Sequence, residues 1–470
     1  MKDSLDVISV EYEVGDKRDP INFSQERKWV MTLVACLFTG VSAAAASSYN
    51  FGFPSMTRDL NCTDFQATIG FSVFPLGFAL TPLFTAPFSE EFGRRPLYLV
   101  SGVGFLAMHI LLASAKNINT VVIARLLGGA FGSTGATMVG GTIADIWQPK
   151  QRGLPMSLFA LSAIGGTGLG PVGGAWIEAN SHLQWRWIQW FQAIAAGVVL
   201  VALVLLMRET RTSVVLTSIA KDLRKRTGNE RYMARIELER PSLKSLLIIS
   251  CTRPLYFLVT EPVVTSISLW VGFAWGVFYC MIESIVPIFS HVHNFNIGET
   301  GTVFVAAFLG SLLGFCSNFH QERVYQRSVR ERGPEARLTW ARFAGIMFPV
   351  GMFVYAWTSF SRVPWIAMTI GIVIFIWATF IIYLAAFTYL ADCYGTYASS
   401  AIAAQSLSRN LLGMAFPLFT KQMFATLTYQ WGNTLFGCIA LLMVPLPWIL
   451  FYYGPAIRAR SKISQRTMER

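Results

Sequence analysis

The chain alternates long apolar runs with short polar breaks, and this pattern limits its fold more than any other feature. Twelve runs stand out, at about 29–49, 67–88, 97–115, 121–144, 154–177, 187–207, 265–289, 301–319, 341–358, 365–390, 400–424 and 433–453. A helix needs roughly 20 apolar residues to cross the hydrocarbon core of a bilayer. Inside that core every backbone N–H and C=O must find its partner within the protein, and a helix supplies partners within its own segment. The runs are therefore expected to be twelve transmembrane helices of an all-α membrane protein. Only 14% of the residues are charged, against about 25% in soluble domains.

The net charge is +12, which on a soluble chain would suggest nucleic acid. Here the basic residues fall in alternate breaks, the pattern of loops retained in the cytoplasm. They are Lys17, Arg18, Arg27 and Lys28; Arg94 and Arg95; Lys150 and Arg152; a long series from Arg208 to Arg253; Arg323, Arg327, Arg330, Arg332 and Arg337; and Arg458, Arg460, Lys462 and Arg466. The opposite breaks are short and nearly free of Lys and Arg. Both termini are thus expected in the cytoplasm. The expected partner is the lipid bilayer and not nucleic acid. The polar start, Met1 to Lys28, is read as a cytoplasmic segment, since the first apolar run is long enough to span. Asn61-Cys62-Thr63 is a glycosylation sequon on the expected outer face, so Asn61 is expected to carry a glycan. Asn22-Phe23-Ser24 falls on the cytoplasmic side and is expected to stay unmodified. The seven cysteines have no metal-binding spacing and read as small core residues.

The longest polar interruption separates six runs from six. The expected organisation is a cytoplasmic segment 1–28, a six-helix bundle 29–207, a cytoplasmic linker 208–264, a second six-helix bundle 265–453 and a tail 454–470. The stretch 214–240 mixes Leu, Ile and Arg. It reads equally as an amphipathic helix on anionic lipid or as a solvated linker.

The short charged break after the second run reads Ala86-Pro87-Phe88-Ser89-Glu90-Glu91-Phe92-Gly93-Arg94-Arg95-Pro96. Glu90, Arg94 and Arg95 can pair with helix ends and with acids across a bundle, and Asp145 is a candidate partner. Such pairs would hold one face closed, so a switching role is the more useful reading than a stabilising one. A weak repeat follows the eighth run, where Glu322 stands beside Arg323 and Arg327.

Charges inside apolar helices are expensive and point to cavities or partners. Arg125 lies in the fourth run and either faces a cavity or snorkels to the membrane surface. Gly128, Gly132, Ala136 and Gly140 recur behind it, one small face for close helix contact. Gly166, Gly170 and Gly174 form a second such face in the fifth run, where Pro171 removes a backbone donor. The same stretch contains GxGxxG at 168–173. A dinucleotide site needs that motif after a strand, and here it lies inside an apolar helix.

Glu283 is the acid placed deepest within an apolar run. A carboxyl removed from water holds a proton more readily. When ionised it could bind a cation, so proton and cationic substrate would exclude each other. Gln405 and Arg409 lie in the eleventh run. Arg409 either faces the cavity or clamps a helix end, and both readings stand. Trp275, Phe278 and Tyr279, with Phe51, Phe53 and Phe74, are candidates for an apolar pocket. His291 and His293 read as loop residues, and Asp392 as a helix-end charge.

The loop at 86–98 resembles the loop between spans 2 and 3 of the major facilitator superfamily. Ala124-Arg125-Leu126-Leu127-Gly128 is similar to that superfamily's span-4 arginine motif, and Gly166 to Gly174 to the span-5 motif of its proton antiporters. Asp19-Pro20-Ile21-Asn22-Phe23, Gly52-Phe53-Pro54-Ser55, Asp392-Cys393-Tyr394-Gly395-Thr396 and Phe416-Pro417-Leu418-Phe419 extend the match along the chain. Together they resemble the fungal twelve-span drug:proton antiporter family, which includes polyamine and multidrug exporters. Ala86, Glu90 and Phe23 depart from the pattern, which has Gly, Asp and often Trp there. The resemblance implies two bundles that rock about a midplane site, a role for Arg125 in proton transfer, the plasma membrane as location, and export of small organic molecules by a monomer. The proton gradient would replace any cofactor. An exporter of organic anions using Arg125 and Arg409, a facilitator without proton coupling, and a non-transporting sensor are the other readings. The chain shows no HExxH or GxxxxGK[ST] motif, and an enzyme is not expected.

Overall fold

The computed structural model describes residues 7–13, 15–148, 151–238 and 243–459. Lys150, Arg460, Lys462 and Arg466, together with the side chains of Ala136 and Thr396, lie outside the described residues. Strand β1 (Ile8–Val10) is followed by α1 (Gln25–Ser48), the short α2 (Phe53–Asp59), α3 (Asp64–Glu91), α4 (Arg94–Ala113), α5 (Ile118–Ile146), α6 (Gly153–Ala179) and α7 (Gln184–Leu206). The middle of the chain forms α8 (Thr212–Thr227), strand β2 (Tyr232–Ala234), the one-turn α9 (Arg235–Leu238) and α10 (Leu243–Thr260). Then come α11 (Pro262–His293), the short α12 (Ile297–Thr302), α13 (Val305–Arg332), α14 (Leu338–Trp357), α15 (Trp365–Tyr394), α16 (Ala398–Met443) and α17 (Pro445–Arg458). Helix ends near α8–α10 are called the linker side, and the opposite ends the far side.

Side-chain oxygens start several of these helices. Ser24 accepts from the Arg27 amide and Asn117 from that of Thr120. Thr63 with Gln66, and Asn296 with Glu299, form reciprocal capping boxes. Large apolar residues are exposed on the outside as well as buried in the core. Helix α7 exposes Phe191, Ile194, Val198, Val201 and Leu205, while its buried face carries Gln189 and Gln192. An apolar outer stripe over a partly polar inner one suits a helix whose surroundings are lipid.

Among the described residues, ten helical stretches are long and apolar enough to cross a membrane. Two of them, Ile297–Trp357 and Ala398–Arg458, hold 61 residues each. At 1.5 Å per residue, each greatly exceeds a hydrocarbon core of about 30 Å. Both are interrupted. Residues Gly333–Arg337 break the first, and Thr428 (φ 65°, ψ 166°) breaks the second. Each of these two stretches would have to cross twice to make the expected twelve crossings.

Two seams position the interior. Gly166, Gly170 and Gly174 of α6 lie directly on Gly40, Ala44 and Ser48 of α1. Gly129 of α5 meets the Phe74 backbone of α3, and Gly77 of α3 meets Leu126 and Ala130 of α5. The small face expected at Gly128, Gly132 and Gly140 packs on other helices through their side chains. Those three glycines meet the side chains of Met108, Phe105 and Phe387, whereas Gly129 and Gly77 make the backbone contact.

The linker is more structured than the sequence suggested. Strands β1 and β2 pair in parallel, with Ile8 opposite Tyr232 and Val10 opposite Ala234. Ala220 of α8 joins Val10 and Ala234 in a small core, flanked by Leu216, Ile219 and Leu223. The apolar face of this helix therefore covers the strand pair rather than lipid. Helix α10, inside the expected linker 208–264, packs Cys251 and Leu258 against Ala79, Leu83 and Leu407.

Candidate functional site

The interior holds polar groups that lipid-facing helices would not tolerate. They gather along α11, which is buried over most of its length. Trp275, Tyr279 and Glu283 recur at i, i+4 and i+8, so they share one face. Glu283 is 8% exposed, and neither carboxylate oxygen has a hydrogen-bond partner. The nearby cation Lys421 on α16 acts on it through space but pairs directly with Asp64 at 3.4 Å and stands over the Phe53 ring.

Helix α16 runs beside α11, with Ser408 donating to Ser268 O and Cys280 meeting Thr420 Oγ1 at 2.9 Å. This register places Arg409 against Trp275. The guanidinium carbon lies 4.6 Å from the Trp275 ring centre and 5.0 Å from that of Tyr383. Arg409 Nη2 donates to Ser406 Oγ at 3.4 Å, while Nε has no partner. The helix-end clamp considered for Arg409 is thus replaced by an aromatic slot. Gln405, one turn away and 2% exposed, also leaves its Nε2 donor without a partner. Phe278 packs against Trp275 and Phe375 and backs the slot.

The N-terminal half faces this cluster. Phe71 of α3 meets the Tyr279 ring at 5.4 Å. Asn50 Nδ2 donates to Ile282 O at 3.4 Å, and its Oδ1 has no partner. Arg125 is 0% exposed. It donates to the carbonyls of Gly70, Ala45 and Ala46 at 3.1, 2.9 and 3.3 Å, and its guanidinium sits over the rings of Tyr49 and Phe74. That removes the snorkelling reading. Five donors in a planar fork suit several carbonyls at once, so Arg125 ties α1, α3 and α5 together.

Contacts join the two halves at both ends of this interior. On the far side Phe51 meets Phe304 at 5.6 Å, and Trp176 Nε1 donates to Thr302 Oγ1 at 3.0 Å. On the linker side Phe387 of α15 reaches Phe159, with ring centres 6.5 Å apart, and also Gly140. The linker side also carries the charged loop. Arg94 Nε lies 2.7 Å from Asp145 Oδ2, with both side chains largely buried. Glu90 stands 3.9 Å from Arg211, and the Arg95 amide donates to Glu209. Gly93 adopts φ +95°, a left-handed conformation that glycine tolerates at little cost, and a Cβ there would strike the Glu209 carboxylate.

Several residues of this network went unread in the sequence. Glu209 accepts from four backbone amides, those of Arg94, Arg95, Thr210 and Arg211. Arg337, at the start of α14, contacts Asp392 at 3.0 Å and Glu322 at 2.9 Å. The repeat seen at Glu322 thus pairs through Arg337 rather than Arg323 or Arg327, and Asp392 is more than a solitary helix-end charge. Glu335 and Arg458 form a buried pair at 2.7 Å. His109, buried in α4, shares a 3.3 Å hydrogen bond with Gln189. Only His109 carried a sequence signal, as an ionisable side chain deep within an apolar run. Asn61 is exposed in the turn between α2 and α3, at φ 47°.

Comparison with known proteins agrees with this architecture. The family model of the Major Facilitator Superfamily matches residues 35–417. The chain is 32% identical to the multidrug transporter FLU1 of Candida albicans over 475 residues, covering 99% of this chain and 77% of that protein. It is 33% identical to the efflux pump radE of Floropilus chiversii, covering 95% and 84%. Among solved structures, the human organic anion transporter MFSD10 superposes with a TM-score of 0.61 at 16% identity, over 90% of this chain and 100% of that one. The proton:xylose symporter XylE gives 0.65 at 15% identity, over 91% and 97%. At such identities the structures speak to the fold alone. The helical architecture, the family match and the curated relatives together place this chain in the Major Facilitator Superfamily.

Proposed function

We propose that this chain is a proton-coupled antiporter that exports small organic molecules such as drugs, secondary metabolites or organic cations. Residues 29–207 and 265–453 act as two six-helix bundles in the plasma membrane, joined by the linker 208–264, with both termini cytoplasmic and the monomer as working unit. The observation that carries the reading is the bare carboxylate of Glu283, buried in the interior. An unpaired buried carboxylate is costly, so a proton or a cationic substrate group is needed to meet its charge. Substrate arriving from the cytoplasm binds ionised Glu283. After the bundles rock, a proton from outside takes its place and the substrate leaves. The protonated carrier returns and loses its proton inside.

The other named residues serve this cycle. Arg125, the second proton-coupling residue, holds α1, α3 and α5 in register beside the carrier. Arg94 with Asp145, flanked by Glu90 and Arg95, latches the linker side, and its release accompanies opening. Gly166, Gly170, Pro171 and Gly174 keep α6 against α1 as the half moves. The curated relatives named as multidrug and efflux pumps support the outward direction. A second reading, export of organic anions, is favoured by Arg409 alone, since among the described residues no carboxylate lies within ion-pair distance of it.

Untargeted efflux tests the proposal. Media from cells expressing wild type or Glu283→Gln are compared by mass spectrometry, with and without a protonophore. A compound exported only by wild type, and lost with the protonophore, is the expected result. Equal, protonophore-insensitive export by both proteins refutes proton coupling through Glu283.

A further inference from the structure

Three side chains at the centre, each more than nine-tenths buried, have polar atoms that nothing in the protein satisfies. Glu283 has two bare acceptor oxygens, while Arg409 Nε and Gln405 Nε2 are bare donors. The two donors sit one turn apart on α16 and so share a face. The Trp275 and Tyr383 rings engage the guanidinium of Arg409 through their π faces. Such contacts leave its in-plane N–H groups in need of an acceptor.

The opposite charges do not answer each other. Arg409 is fixed at the level of Trp275, and Glu283 lies eight residues further along the same face of α11. Eight residues rise about 12 Å, far beyond a salt bridge. Between the two levels stands Tyr279, with Phe71 against it. The interior therefore presents donors at one end, an acceptor at the other and aromatic rings between. A ligand bearing only a cation would leave the Arg409 and Gln405 donors bare, and one bearing only an anion would leave Glu283 bare in the ionised state that loads substrate. Each omission buries an unsatisfied group, which costs more than the corresponding pair gains.

We propose that the transported substrates are amphipathic zwitterions, with the anionic group held by Arg409 and Gln405, the cationic group held by Glu283, and an aromatic or apolar body lying along Tyr279 and Phe71. The proposal rests on reading this interior as the transport site and narrows its substrate class.

The test uses the purified full chain in lipid nanodiscs and equilibrium dialysis. The probe is 4′-(aminomethyl)biphenyl-4-carboxylic acid, a rigid aromatic zwitterion. It is compared with its methyl ester, which keeps only the cation, and its N-acetyl form, which keeps only the anion. The zwitterion is expected to bind about tenfold or more tighter than either, as each desolvated charge contact implies. Arg409→Gln brings the zwitterion down to the level of the ester, and Glu283→Gln brings it to the level of the N-acetyl form. Gln405→Ala, a milder change, lowers the preference for carboxylate-bearing probes and serves if Arg409→Gln fails to fold. No binding, equal binding of all three probes, or a uniform loss across them in the variants overturns the proposal. Proton-driven transport is measured separately in proteoliposomes. If the ranking holds without gradient dependence, only the antiport reading falls. If transport follows the gradient while the ranking is flat, only the zwitterion proposal falls.

Discussion

Adding one methyl group at Gly170 should separate α6 from α1. A Cβ built there lands on the Ala44 carbonyl oxygen, 2.6 Å from Ala44 Cα and 2.8 Å from its carbonyl carbon. Carbon atoms pack at about 3.5–4.0 Å, so the helices must part by roughly 1 Å. The obstacle is backbone and cannot rotate aside. Parting also loosens the flanking contacts of Gly166 with Gly40 and of Gly174 with Ser48. Overpacking of this kind costs about 1–3 kcal/mol. Gly173 supplies an internal control, because its nearest neighbour would be Phe191 Cε1 at 3.8 Å, an ordinary contact. Gly170→Ala and Gly173→Ala are compared by SDS-induced unfolding in mixed micelles and by transport in proteoliposomes. Gly170→Ala should lose the stated stability and most transport, while Gly173→Ala should match wild type. Wild-type stability and transport in Gly170→Ala would refute the idea that these glycines are there for backbone contact.

Other outcomes follow from the charged groups. Asp145→Ala leaves Arg94 largely buried without its 2.7 Å partner. It should cost about 3 kcal/mol or more and raise the reactivity of a cysteine placed on the linker side, as read by maleimide labelling. Arg125→Lys keeps the charge but cannot reach three carbonyls. A loss of about 2 kcal/mol or more is expected, measured by thermal unfolding of detergent-purified protein. In the linker, burial pushes the Glu237 carboxyl up, but hydrogen bonds from Arg224 and the Ala234 amide outweigh it and hold the group below its usual value. A depressed carboxyl stabilises the fold above its unfolded value and loses that contribution as pH falls through the folded one. Hydrogen-exchange protection at Tyr232–Ala234, corrected for the intrinsic rate, should therefore fall in acid below the ordinary glutamate range, and Glu237→Gln should abolish the step. Asn61→Gln should remove an endoglycosidase-sensitive mobility shift, and an unchanged gel position would place that turn away from the glycosylating compartment.

The sequence exposed what depends on local pattern and hid what depends on distant contact. Apolar runs marked the helices because lipid imposes a length and a composition on each. Glu283 and Arg125 were visible because a charge in such a run is anomalous whatever it touches. The three carbonyls that hold Arg125 could not be foreseen, since Ala45, Ala46 and Gly70 carry no side-chain signal for that role. Gly129 and Gly77 were passed over for the more regular spacing of Gly128, Gly132 and Gly140, and only the rotation of α5 decides which glycines meet a backbone. Arg337 was read as one more loop charge because its partners, Glu322 and Asp392, lie on different helices. The strand pair in the linker escaped for a similar reason. Three residues near the start find three beyond α8, too short a stretch for alternation to register.

The contact between α1 and α6 also bears on how such a protein can diversify. Its glycines meet main chain, so almost any replacement there is punished whatever the cargo. The side chains of Trp275, Tyr279, Gln405 and Arg409 stand on other helices, α11 and α16. Frame and selectivity are thus written at separate positions. A lineage could exchange one cargo for another through a handful of substitutions on α11 and α16 while inheriting the frame unaltered.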